Sequence, residues 1–156
     1  MPWSDPPLFA ETMLCWEMRS YHIARNERGP VFFDRGVPDV LGYLTLMRLP
    51  VPEYMRRAAD IFRYNRRAFV APPWAEIFQQ DRERKQNFDE AKRTHHAMVA
   101  TYTDLGYQLV EIPRASVEAR VRFILHHVGL ASAGCDSVAS TCHFQRIAWR
   151  WPGRLY

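Results

Sequence analysis

The sequence predicts an α/β fold in which a parallel sheet is flanked by helices. Short apolar runs without alternation stand at residues 31–33 and 68–71, the pattern of strands covered on both faces, and residues 107–112 read as a third strand. Helical segments of about ten or more residues separate them, as parallel crossovers require. Each run stops at turn-forming or charged residues: Asp34-Arg35-Gly36, Pro72-Pro73-Trp74 and Pro113.

The elements follow in order. Ser4 or Asp5 before Pro6-Pro7 is a helix start, with a cap oxygen and prolines placed where no N–H bond is lost. Leu8, Phe9, Met13, Cys15 and Trp16 give that helix an apolar side, and Gly29-Pro30 closes it. Val31-Phe32-Phe33 reads as the first buried strand. Pro38-Asp39 opens a helix carrying Val40, Leu41, Leu44 and Met47, and Leu49-Pro50-Val51-Pro52 separates it from a helix over about residues 53–64. Residues 68–71 form the next strand, and a charged segment over 76–85 leads into a helix ending near Leu105-Gly106. The third strand covers 107–112, and a helix over 116–127 follows. The expected domain therefore spans 1–128, with a tail over 129–156 that has no assigned fold and carries Trp149 and Trp151.

Composition narrows the function classes. With 47% hydrophobic and 24% charged residues, the 156-residue chain has the profile of one packed domain. Its apolar runs fall far short of the roughly 20 residues that cross a bilayer, and Met1-Pro2-Trp3-Ser4-Asp5 is no secretory leader, so a cytoplasmic location without membrane association is expected. Cys15, Cys135 and Cys142 are odd in number and lack paired spacing, which argues for reduced thiols over a disulfide framework or zinc ribbon. The net charge of +4 is concentrated in two groups: Arg56, Arg57, Arg63, Arg66 and Arg67, then Arg82, Arg84, Lys85, Lys92 and Arg93. Such clusters suit a nucleotide phosphate or a polynucleotide equally. No nucleic-acid reader motif occurs, so a polynucleotide is not the expected partner.

Ligands of open α/β sheets gather at the carboxyl ends of strands. Asp34 directly follows an apolar run, where a carboxylate holds Mg²⁺ through water or accepts a proton in phosphoryl transfer, and the planar fork of Arg35 suits a phosphate. The competing reading is a solvated turn. Asp81-Arg82-Glu83-Arg84-Lys85 reads either as a lid whose cations cover a transferred phosphoryl or as a solvated helical face of paired charges. Trp74 reads either as a base-stacking ring or as part of the core rim. His95-His96, His126-His127 and His143 lack the H-E-x-x-H arrangement and are expected to hold no metal. No G-x-S-x-G nucleophile turn occurs.

Taken together, the strings Val31-Phe32-Phe33-Asp34-Arg35-Gly36-Val37-Pro38-Asp39, Phe62-Arg63-Tyr64-Asn65-Arg66-Arg67, Ala71-Pro72-Pro73-Trp74, Glu76-Ile77-Phe78, Asp81-Arg82-Glu83-Arg84-Lys85-Gln86 and Leu105-Gly106-Tyr107 resemble the NadR-like AAA domain of predicted ATPases. The resemblance covers about residues 3–128. It implies a P-loop kinase-like α/β sandwich that binds ATP with Mg²⁺ and passes a phosphoryl group to a small-molecule acceptor. It implies that Asp34 and Arg35 sit at the magnesium and phosphate end. Arg82, Arg84 and Lys85 fall in the lid, with Arg63 and Arg67 in the phosphate-facing set and Trp74 near the nucleotide.

The sequence departs from that family at one feature. No G-x-x-x-x-G-K-[ST] occurs, the glycines standing at 29, 36, 42, 106, 129, 134 and 153. The expectation is an N-terminally truncated domain without its phosphate-binding loop, first strand, first helix and second strand. Residues 31–33 and 68–71 then leave a gap, pair directly or rely on another chain. Loss of the backbone cradle and its lysine makes nucleotide binding weak or nil. The alternative is a non-enzymatic interaction module that uses the basic helices and the Trp149/Trp151 tail.

Overall fold

In the computed structural model, residues 5–78 and 87–130 are described. Asp5 caps helix α1 (Pro6–Ala24), its carboxylate accepting the Leu8 N–H at 3.0 Å, and the prolines occupy the first turn. Ala10, Met13 and Leu14 form the buried stripe of α1. Helix α2 (Val37–Leu46) is buried at every position from Val37 to Leu44. A helix apolar all round belongs at the centre of a core, and α2 packs against α1, α3 and α4. Helix α3 (Glu53–Ile61) starts after Pro52 and adds Met55, Ala58 and Ala59 to the same core.

Strand β1 (Arg67–Val70) leads through Ala71-Pro72-Pro73-Trp74 into a 3-10 turn over Ala75–Ile77. Helix α4 (Phe88–Asp104) is capped by the Asn87 side chain, which accepts the Glu90 N–H at 2.8 Å. Strand β2 (Gln108–Glu111) pairs in parallel with β1, Arg67 opposite Gln108 and Val70 opposite Glu111. Flanking bonds from Gln108 N to Arg66 O (2.8 Å) and from Ile112 N to Val70 O (2.9 Å) extend the ladder. Helix α4 is the crossover between the two strands, as a parallel pair requires. Helix α5 (Val117–His127) is capped by Ser116 and buries none of its residues.

The expected helix starts, the parallel orientation of the second and third strands and the helix that joins them are all present. Residues 31–33 are a correction: they join no ladder, and the sheet among the described residues has only β1 and β2. An apolar run becomes a strand only where a neighbour takes its N–H and C=O groups, and β1 takes its partner from β2. Val31-Phe32-Phe33 is half-buried instead, with the Phe33 ring edge-on to Tyr64 at 5.0 Å. Helix α3 ends at Ile61, three residues before the expected limit, because Arg63 and Tyr64 are drawn into contacts with Leu105 and Val37. The 3-10 turn was not expected. The lid segment with Arg82, Arg84 and Lys85, and the tail with Trp149 and Trp151, lie outside the described residues.

Close approach of α2 to α4 depends on Gly42. A Cβ there would stand 2.6 Å from Met98 Sδ and 3.4 Å from Thr101 Oγ1. Gly42→Leu is therefore expected to cost about 1–3 kcal/mol in urea denaturation by overpacking, with part of the loss recovered when Met98→Ala is added.

Candidate functional site

The turn that carries Asp34 and Arg35 is built around a buried carboxylate three residues beyond it. Asp39 Oδ2 accepts the Gly36 N–H at 2.9 Å and the Tyr102 hydroxyl at 2.6 Å, while Asp39 Oδ1 lies 3.7 Å from Arg35 Nη1. The Asp39 N–H returns to Gly36 O at 2.9 Å, closing a reciprocal capping arrangement at the start of α2. Arg35 has φ 83°. For a residue with a Cβ this left-handed backbone costs about 1–2 kcal/mol, which the Asp39 network offsets.

Tyrosines close the turn from the other side. Val37 N–H donates to Tyr64 Oη at 3.2 Å, and the Tyr64 backbone N–H donates to Tyr107 Oη at 3.3 Å. A Cβ on Gly36 would stand 2.7–2.8 Å from the Tyr64 ring atoms, so only glycine lets the ring lie there. The Tyr21 hydroxyl donates to Arg63 O at 2.9 Å, and its ring meets Tyr64 edge-on at 5.4 Å. Helices α1, α2 and α4 thus converge on one turn.

The electrostatics follow from this burial. Desolvation pushes the Asp39 carboxyl upward, against the pull of Arg35 and of the bonds from Tyr102 and Gly36. Glu17 on α1 is pushed up to about 7, first by burial and then by Asp39, with Arg35 opposing and Asp34 adding to the rise. Burial and then the Asp39 charge push the Tyr102 hydroxyl upward, and burial does the same to Tyr64. Glu17 and Asp39 therefore share the field of one guanidinium, with the Asp34 charge acting against it.

Asp34 differs from the other two. Its side chain is exposed and makes no hydrogen bond or ion pair among the described residues. A lone exposed carboxylate fits a hydrated Mg²⁺ held through water. Among the described residues no three His, Cys, Asp or Glu side chains group as a metal ligand set, so Glu17, Asp34 and Asp39 share a field and not a coordination point.

The other candidates fall elsewhere. Arg63 Nη1 donates to Leu105 O at 2.8 Å, with its guanidinium 4.5 Å from the Tyr107 ring centroid. Arg67 Nη1 donates to His127 O at 2.5 Å at the carboxyl end of α5, where a cation is favourable. Both lie toward the amino ends of the strands, away from the carboxyl ends where ligands were expected. Trp74 is half-buried in the loop after β1. At the carboxyl ends of β1 and β2 an open cleft of about 470 Å³ is lined by Pro72, Pro73, Phe88, Lys92, His95 and Arg114. Lys92 is paired there with Asp89 at 2.7 Å.

Sequence reading placed Asp39 only as a helix start and missed Glu17, Tyr64 and Tyr102 as parts of the site. The signal that could have found that bond is an acidic residue at the third helical position, placed to reach back to the N–H of the residue before the helix. Glu17 and Tyr102 meet the turn only through tertiary packing, which leaves no local signal.

A family model described as an AAA domain matches residues 1–120. Comparison with curated proteins and with solved structures returned no match.

Removing the Tyr102 hydroxyl leaves buried Asp39 short of a donor, so Tyr102→Phe is expected to lower stability by about 1–3 kcal/mol in chemical denaturation. Glu17 holds its proton in the folded chain at pH values where the unfolded chain has released it. Its contribution to stability is therefore full below the ordinary value of 4.5 and lost as pH rises to about 7. Glu17→Gln is expected to be about 1–3 kcal/mol more stable than wild type at pH 8 and equal to it at pH 4, measured by thermal and urea unfolding.

Proposed function

The chain belongs to the AAA domain family, and we propose that it is a nucleotide-binding module for ATP with Mg²⁺, serving phosphoryl transfer to a small-molecule acceptor. The observation that carries this reading is an exposed carboxylate, Asp34, held at the end of an apolar segment by a buried network that fixes its neighbour Arg35. Asp34 holds the magnesium through water or takes the proton of an acceptor hydroxyl. Arg35 contributes positive field to a phosphate. In this reading Arg82, Arg84 and Lys85 close over the phosphates, and Trp74 flanks the nucleotide. Bound ATP and magnesium would supply the transferable phosphoryl group and its charge neutralisation.

The sequence contains no glycine-rich loop with its lysine. The N–H groups at the start of α2 do not replace it, since Gly36 donates to Asp39, Val37 donates to Tyr64, and Pro38 has none. Nucleotide binding by this chain is accordingly weak. A second reading, a non-enzymatic interaction module, draws on α5, which leaves Val117 and Val121 exposed.

Titration of the chain with a fluorescent ATP analogue tests the first reading. Saturable binding that requires Mg²⁺ and weakens at least about tenfold in Asp34→Ala is expected. The variant's stability should stay within about 0.5 kcal/mol of wild type, because the side chain is exposed. Binding indifferent to Mg²⁺ and to Asp34→Ala, or none at millimolar analogue, would favour the interaction module.

A further inference from the structure

The cleft at the carboxyl ends of β1 and β2 holds one group that its surroundings do not satisfy. His95 lines it from α4, and both of its ring nitrogens are buried without a hydrogen-bond partner among the described residues. Buried polar atoms are almost always paired, and an unpaired one marks strain or a working part. The helix explains the position. Ala91, Thr94 and Met98 belong to the buried stripe of α4, and residues four apart share a face, so His95 stands beside Ala91 at the margin of that stripe.

The charges around it are mixed. From α4 itself come Lys92 and His96, the His96 ring lying edge-on to His95 with centroids 5.8 Å apart. Strand β2 contributes Glu111, the 3-10 turn Glu76 and the segment after β2 Arg114. Helix α2, which also packs on α4, sends no described residue into the cleft. Lys92 is paired with Asp89, and among the described residues no carboxylate bonds His95. Burial, and then His96, hold the His95 imidazole below its ordinary value of 6.5, against the pull of Glu111.

A neutral imidazole buried in this way leaves one donor and one acceptor unmet, whereas an imidazolium leaves two donors unmet and carries a charge. The charged form is the costlier to bury. We propose that His95 is an acid-operated latch on α4: neutral, it closes the cleft wall, and on taking one proton from solvent it turns into the cleft and loosens α4 from β2. There Glu111 and water accept its two N–H groups. Met98 and Thr101, which meet Gly42 of α2, lie outside the cleft, so the packing of α4 on α2 is kept. An open form with a solvated ring binds the proton that the closed form refuses. Below the ordinary value of 6.5, opening therefore gains about tenfold for each pH unit lost, until the closed ring itself titrates.

Two-bond nitrogen–proton NMR of the imidazoles in the full chain gives the protonation state and midpoint of His95. Amide hydrogen exchange from pH 7.5 to 5, corrected for the intrinsic rate, gives opening at residues 94–100 of α4 and in β2, with α2 as internal reference. The expected result is a neutral His95 at pH 7 with a midpoint below 6.5. Opening of α4 and β2 should rise about tenfold per pH unit below that value, while the α2 amides keep their protection. His95→Phe is expected to lose this dependence, with His95→Gln as the second variant should the first fail to fold. His96→Gln is expected to keep it.

A His95 midpoint at or above 6.5, a measurement that needs no variant, overturns the latch. Equal pH dependence in wild type and the His95 variants also overturns it. So does loss of α2 protection together with that of α4, which would make the acid response a property of the whole fold.

Discussion

The buried carboxylate of Asp39 is the interaction on which the rest of this molecule's polar architecture depends. It accepts from the Gly36 amide just before α2 and from Tyr102 on α4, and pairs with Arg35, which has a left-handed backbone. A buried charge is costly unless its lone pairs are met, and here a backbone amide, a phenol and a guanidinium meet them. The network places the polar turn against the most apolar helix in the fold, with α2 packed between α1 and α4. Removing any one partner leaves the buried Asp39 carboxyl short of a donor.

Around this centre, packing and polarity impose the same geometry. Gly36 is required because the Tyr64 ring lies on it, and Gly42 because Met98 does. Both glycines sit where α2 meets a neighbour, so helix position is set by backbone approach as much as by apolar area. Tyr21, Tyr64, Tyr102 and Tyr107 form a chain of edge-on rings and hydroxyl bonds from α1 to the start of β2. Their apolar bodies fill the core, and their hydroxyls answer buried backbone and carboxylate groups.

Much of the scaffold was legible locally. Asp5 with Pro6-Pro7, Asn87, Ser116 and Pro52 announce helix starts, and the apolar runs at β1 and β2 announce strands. Residues 31–33 carry the same apolar signal and are not a strand, because pairing is a property of the neighbour and not of the run. The site was half legible. Asp34 and Arg35 stand out as polar residues after an apolar run, whereas Glu17 and Tyr102 join them across long stretches of chain. Arg63 and Arg67 belong to a basic cluster in sequence, yet each is turned to a backbone carbonyl at a helix end. Cationic clustering along the chain thus overstates the charge available to one ligand.

Amide hydrogen exchange at Gly36 and Val37 in wild type and Asp39→Ala tests the central role of Asp39 most directly. The account predicts slow exchange at both amides in wild type. It predicts that Gly36 loses protection in Asp39→Ala while the β1 and β2 ladder amides keep theirs. Fast exchange at Gly36 in the wild-type chain, or protection there that survives Asp39→Ala, would contradict the claim that this carboxylate holds the turn.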